Sequence, residues 1–221
     1  ESRIFDDARF TGTARQPLAQ EFRTVGGEDT FVAVVNHFKS KGSVAQGDAD
    51  TGDGQGNNAT VRANQSQALI EHLGDQADWA ELPTFILGDI NAYSRETAVT
   101  VLETAGYTNI AAAHDPEHTS YQFDGKLGSL DHALGNAAAM ALVQDARIWN
   151  INSDEPILYE YSRRNYNIVD FHEDNYFRSS DHDPVKVGFS FGGHQEPEQP
   201  VQPGRPNRGS SLSSGSSLSS R

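Results

Sequence analysis

Short apolar runs separated by Gly- and Asp-rich turns dominate the chain as far as position 192. Positions 18–25 and 30–38 read as two strands joined at Gly26-Gly27-Glu28-Asp29, a hairpin signal. Phe31-Val32-Ala33-Val34-Val35 is all apolar, which predicts a strand covered on both faces. After a Gly/Asp loop over 42–58, positions 60–79 predict a helix. Its Ala63, Gln67, Ile70 and Leu73 recur at helical spacing, with Ala68 and Leu69 beside them. Positions 83–87 predict a short buried strand. Ser94 is the expected cap of a second helix that runs to Ala105 and stops at Gly106. Positions 121–123 and 129–134 predict paired strands around Asp124-Gly125-Lys126-Leu127-Gly128, and 146–151 and 185–189 predict two more. The sum is an α+β fold in which two mixed sheets pack face to face with helices outside.

From Gly193 the pattern ends. A Pro-rich polar stretch gives way to a Ser/Gly tract ending at Arg221, too polar to offset its conformational entropy by burial. The expected organisation is therefore a catalytic-sized domain over 1–192 and a linker or tail over 193–221. Such a linker implies a further C-terminal module or a cell-wall stalk. The chain starts at Glu1 without an initiator Met or the apolar core of a signal peptide, so it reads as a processed product or a fragment.

Charge narrows the chemistry. The 221 residues carry a net charge of −14, which excludes DNA binding through a broad basic face. Any nucleic acid must be met locally, with cations supplying positive charge. The carboxylate surplus also suits an extracellular, saline setting, or simple solubility. No cysteine is present, which removes disulfides, thiolate catalysis and zinc-finger frameworks. No stretch approaches the ~20 apolar residues of a membrane span.

Four polar clusters lie where predicted strands begin or end: Asn36-His37-Phe38-Lys39-Ser40, Gly88-Asp89-Ile90-Asn91-Ala92, Leu130-Asp131-His132, and Ser180-Asp181-His182-Asp183. Strand-end loops on a rigid sheet are where functional side chains gather. Carboxylates, carboxamides and imidazoles suit phosphodiester hydrolysis, which needs charge offset on the phosphate, an oriented water and donors to the phosphate oxygens. The Asp48, Asp50 and Asp53 loop invites a calcium reading. It fails the EF-hand spacing, because the fifth position from Asp48 is Gly52 and the twelfth is Ala59. His132 is expected to be structural, since strand alternation turns it away from Asp131.

These clusters occur in one order from about position 15 to 191. With Asn36 to Gly42, the 47–60 loop, Leu87 to Tyr93, Ser129 to Leu134 and Phe177 to Val185, the sequence resembles the endonuclease/exonuclease/phosphatase superfamily. It is most similar to the secreted bacterial nucleases of that group. The resemblance implies a four-layer α/β/β/α sandwich and a metal-dependent deoxyribonuclease, an extracellular hydrolase acting on DNA with Mg2+, or with Ca2+ or Mn2+ in its place. It implies that His182 contacts the scissile phosphate or acts on water, that Asp131 orients His182, and that Asp181 binds metal. Asp89 then positions water and touches metal, Asn91 holds a phosphate oxygen, and His37 donates a proton to the leaving oxygen. Arg15 and Lys39 are expected on substrate phosphates, and Lys41 and Arg62 are further candidates for the substrate backbone.

The resemblance breaks before Arg15. The family's first strand with its Asn, and the Gln-Glu pair whose Glu binds the catalytic metal, have no counterpart in 1–14. The domain is thus expected to be N-terminally truncated, with half of one sheet and one metal ligand missing. On that basis the 221-residue chain alone is expected to be poorly active. Two other readings stay open at this stage: a phosphoesterase of the same fold acting on a lipid or inositol phosphate, and a surface-binding module that has lost activity.

Overall fold

The computed structural model describes residues 1–160 and 171–192. In chain order the elements are β1 (Ser2–Ile4), β2 (Leu18–Arg23), β3 (Thr30–His37), α1 (Ala59–Gly74), β4 (Thr84–Asp89), α2 (Thr97–Thr104), β5 (Thr108–Asn109), α3 (Ile110–His114), β6 (Tyr121–Phe123), β7 (Lys126–Gly128), β8 (Asp131–Gly135), α4 (Ala137–Met140), β9 (Val143–Ile148) and β10 (Val185–Phe189). Six strands form one mixed sheet in the order β1-β2-β3-β4-β8-β5, while β9 pairs with β10 and β6 with β7.

The fold is α+β, as the apolar pattern predicts. The parallel pair β3–β4 lies at its centre, joined by a crossover containing α1. This pairing sets Asn36 opposite Gly88 and His37 opposite Asp89. Antiparallel β8 then places Asp131 opposite Asp89. Three of the polar clusters therefore meet at one end of one sheet. Gly88 is required there: its φ is +123°, and a methyl group on it would overlap the Asn36 carbonyl.

One face of the sheet is covered by helices. Val32, Val34, Ile86 and Leu134 pack with Leu69 of α1 and Val99 and Leu102 of α2. Burying each such side chain contributes about 1.5–3 kcal/mol. On the other face Phe85 and Ala133 pack with Ala146 of β9, flanked by Val185, Val187 and Phe189 of β10. This two-stranded ribbon covers only part of that face. Leu18, Phe22 and Val35 stay exposed, Val35 at 55%. The expectation that 31–35 is covered on both faces therefore holds only in part: Val32 and Val34 are buried on the helical face and Ala33 on the other, but Val35 beside Ala33 is not. A full second sheet and an outer helical layer are not seen among the described residues.

Several boundaries differ from the sequence reading. The first helix ends at Gly74, and 77–79 form a separate 3-10 turn. Its buried face is Arg62, Gln65, Ser66, Ala68 and Leu69, whereas Gln67 is exposed, because polar side chains on this helix serve the loops around it. The second helix is preceded by Glu96 rather than Ser94, and Gly106 at φ +98° follows it. Tyr121–Phe123 pairs with Lys126–Gly128 rather than with the 129–134 segment, whose register belongs to β4. Residues 1–10 are part of the domain, with β1 paired to β2 and Phe5 and Phe10 buried in the main core.

Candidate active site

The fourth cluster joins the other three through loop contacts. The Asp183 amide donates to the Ser120 carbonyl at 2.8 Å, and His182 bridges to Tyr121 in antiparallel fashion. The Asp183 carboxylate is buried. It accepts from the amides of Ile151, Asn152 and Ser153, from the Ser153 hydroxyl at 2.6 Å and from the Asn150 amide group at 2.9 Å. Burial opposes its charge, but these donors outweigh burial and hold its pKa below the usual carboxylate range. Asp183 thereby locks the 150–153 loop against the tetrad.

His182 is oriented by a chain of hydrogen bonds. Its Nδ1 stands 2.7 Å from Asp131 Oδ2, and the same oxygen accepts from the buried Ser120 hydroxyl at 2.8 Å. A carboxylate can only accept, so the proton sits on Nδ1 and Nε2 is left for chemistry. Burial lowers the tendency of this imidazole to charge. The Asp131 hydrogen bond and charge, with Asp89 and Asp181 nearby, reverse that effect and raise its pKa. The Tyr121 ring lies 4.7 Å from the imidazole, centroid to centroid.

The second corner lies on β3 and β4. Asp89 accepts from the Asn91 backbone at 2.8 Å and from the Asn91 carboxamide at 2.9 Å. Asn91 adopts φ +53°, a left-handed conformation that Asn tolerates, and its carboxamide also reaches the Phe38 carbonyl at 3.2 Å. Burial, and then the facing Asp131 charge, raise the Asp89 pKa. His37 Nε2 is 3.6 Å from Asp89 Oδ2, and its Nδ1 is 2.7 Å from Arg15 Nη1. Guanidinium only donates, so Nδ1 accepts and the single imidazole proton is on Nε2, facing Asp89.

The structure thus gathers Arg15, His37, Asp89, Asn91, Asp131, Asp181 and His182 at one sheet end. Lys39 departs from expectation. It is buried, and its ammonium is engaged by the Ser40 and Ser43 carbonyls and the Ser43 hydroxyl of its own loop. Lys41 and Arg62 are likewise turned inward, onto Glu96 and the Gln55 carbonyl. His132 is buried and held by the Ala92 carbonyl and Asn109, which agrees with a structural role. Ser120 and the structural part played by Asp183 were not legible in the sequence. No local pattern marks Ser120, and the partners of Asp183 lie thirty or more residues away.

Among the described residues no three His, Cys, Asp or Glu side chains come together to hold a metal ion. Asp89 has both oxygens engaged by Asn91, and Asp131 Oδ2 is engaged by His182 and Ser120. Asp181 contributes a carboxylate without a side-chain hydrogen bond among the described residues. The described residues therefore do not by themselves complete a metal site.

The fold is that of an endonuclease/exonuclease/phosphatase family protein from Bacteroides thetaiotaomicron, which superposes with a TM-score of 0.53 at 14% identity, over 85% of this chain and 60% of that one. A mannosyl-6-phosphatase from Bacteroides thetaiotaomicron superposes with a TM-score of 0.54 at 14% identity, over 86% of this chain and 65% of that one. A 3′ phosphatase from Neisseria bound to a product DNA hairpin gives 0.51 at 18% identity, over 86% and 71%. A functionally unknown conserved protein from Enterococcus faecalis gives 0.53 at 16% identity, and this chain covers 65% of its length. No protein-family model matches the sequence, and no curated protein matches it.

Proposed function

We propose that the protein is an extracellular, metal-dependent phosphodiesterase that hydrolyses DNA. The observation that carries this reading is the Ser120–Asp131–His182 chain, with its 2.8 and 2.7 Å hydrogen bonds, set beside the Asp89–Asn91 pair at the same sheet end. A carboxyl group with a raised pKa next to an imidazole with a raised pKa is an acid–base pair.

In the proposed reaction Asp89 takes a proton from water as its oxygen attacks phosphorus. The bond from phosphorus to the leaving oxygen breaks, and that oxygen takes the proton from His182 Nε2. Asp131 holds the resulting neutral imidazole in position to be reprotonated from solvent. Asn91 keeps Asp89 in place. Arg15 and the Nε2–H of His37 are assigned to the phosphate oxygens. Arg15 at Nδ1 leaves His37 with one proton, so the role of proton donor passes from His37 to His182.

Magnesium dependence, with calcium or manganese as substitutes, is part of the proposal. Its support is electrostatic: Asp89 and Asp131 face each other across β4 and β8, and Asp181 adds a third charge beside His182. It requires at least one ligand beyond the described residues. The carboxylate surplus, a net charge of −14, supports the extracellular setting.

Plasmid nicking by the protein expressed from its complete reading frame tests the reading. Nicking with magnesium, abolished by EDTA and by His182→Ala, is expected. Equal nicking by the His182→Ala variant would contradict it.

A further inference from the structure

A cavity of about 410 Å³ opens on the side of Asp131 away from the His37 corner. Its walls include Tyr93, Arg95, Asn109, His118, Leu127 and Asp131. That volume lies in the range of small-molecule sites. Asp131 belongs to the wall and also accepts the His182 hydrogen bond, so the cavity shares this carboxylate with the acid–base pair.

Arg95 is the distinctive member of this wall. Every other arginine among the described residues is committed: Arg3, Arg9, Arg23, Arg62, Arg147 and Arg178 to carboxylates, and Arg15 to His37. Arg95 is exposed and makes no hydrogen bond or ion pair among the described residues. In a chain of net charge −14, a free guanidinium beside a strand-end acid–base pair is a local exception. Guanidinium matches phosphate oxygens in a bidentate manner. The opposite wall is built by close approach, since a methyl group on Gly128 would overlap the Tyr93 ring. His118 is fixed by Asp115 at 2.5 Å.

We infer that this cavity is a nucleotide subsite, with Arg95 holding the phosphate adjacent to the scissile one and the Tyr93–Leu127 wall receiving its sugar and base. The inference rests on the phosphodiesterase reading for the direction of the strand, but it can be read by binding alone. Arg95 is a specificity residue for polymeric substrate and takes no part in proton transfer.

The experiment measures anisotropy of a fluorescent single-stranded DNA hexamer in EDTA, where no turnover occurs, with the protein from its complete reading frame. Arg95→Ala is expected to weaken binding about tenfold, as for one lost hydrogen bond to a charged group. The slope of log affinity against log salt should fall by about one. Gly128→Ala, which displaces Tyr93 and leaves Arg95 in place, should weaken binding with the salt slope unchanged. Hexamer affinity and salt slope unchanged in Arg95→Ala would overturn the subsite. Hydrolysis of bis(p-nitrophenyl) phosphate, which has one phosphate, reports separately on the acid–base pair. Wild-type and Arg95→Ala rates should agree within about twofold, and an equal loss on this substrate and on DNA would overturn Arg95 as a subsite residue. If wild type hydrolyses neither substrate while the Arg95 binding effect holds, the phosphodiesterase reading fails and the subsite stands.

Discussion

The two corners of the site are built differently. His182 is held through Asp131 to a buried Ser120, and its loop is pinned by five hydrogen-bond donors on Asp183. His37 sits at the end of β3, half exposed, between an exposed Arg15 and Asp89 at 3.6 Å. One imidazole is anchored through a carboxylate to the protein interior. The other takes a hydrogen bond at Nδ1 from an exposed guanidinium. Preorganised polar groups in a partly buried site act far more strongly than exposed ones. The His182 imidazole is therefore assigned to proton transfer and the His37 imidazole to holding phosphate.

The sharpest way to break this contrast is to remove each imidazole in turn. His182→Ala is expected to lower DNA cleavage about a thousandfold, whereas His37→Ala should cost no more than about a hundredfold. Steady-state nicking rates decide, and the reverse ranking would exchange the two roles.

Asp183→Ala attacks the scaffold of the first corner only. It leaves buried amides and a hydroxyl without an acceptor and is expected to cost about 3 kcal/mol of stability. In a domain of this size that lowers the melting temperature by about 8 °C. A thermal melt followed by circular dichroism checks it, and a change within about 1 °C would show that the loop does not depend on this carboxylate.

The electrostatic link between the corners can be read from pH. Activity should be bell-shaped, with an acid limb from the raised pKa of Asp89 and an alkaline limb from the raised pKa of His182. Asp131→Asn removes the charge that raises both. With burial left as the main influence on His182, the alkaline limb should move to lower pH, and the acid limb should move down as well. Limbs that stay in place would separate Asp131 from both groups. The smallest effect is expected for Arg15→Ala. Its exposed contact suggests a KM increase of about threefold with little change in kcat.

Much of this was legible in the sequence, for physical reasons that differ from residue to residue. The β2–β3 hairpin was visible because two apolar runs flank a Gly-Gly turn, and β4 because its run is short and ends in Gly88-Asp89. The clusters at 36–40, 88–92 and 130–132 meet through strand register alone, which the pattern encodes. Lys39 misled because residue type says nothing of direction: its ammonium is captured by the carbonyls of its own loop. The α1 face misled because Arg62 and Gln65 are buried on hydrogen bonds rather than on apolar contacts. Ser120 was invisible because its role exists only once β6 and β8 are brought together in space.

The coupling of Asp131 to His182 carries the account, and a double-mutant cycle on DNA cleavage measures it most directly. Rates are compared for the wild type, His182→Ala, Asp131→Asn and the double variant. If Asp131 acts through His182, the double variant is no slower than His182→Ala alone. Losses that multiply would show that the two residues act independently and would contradict the account.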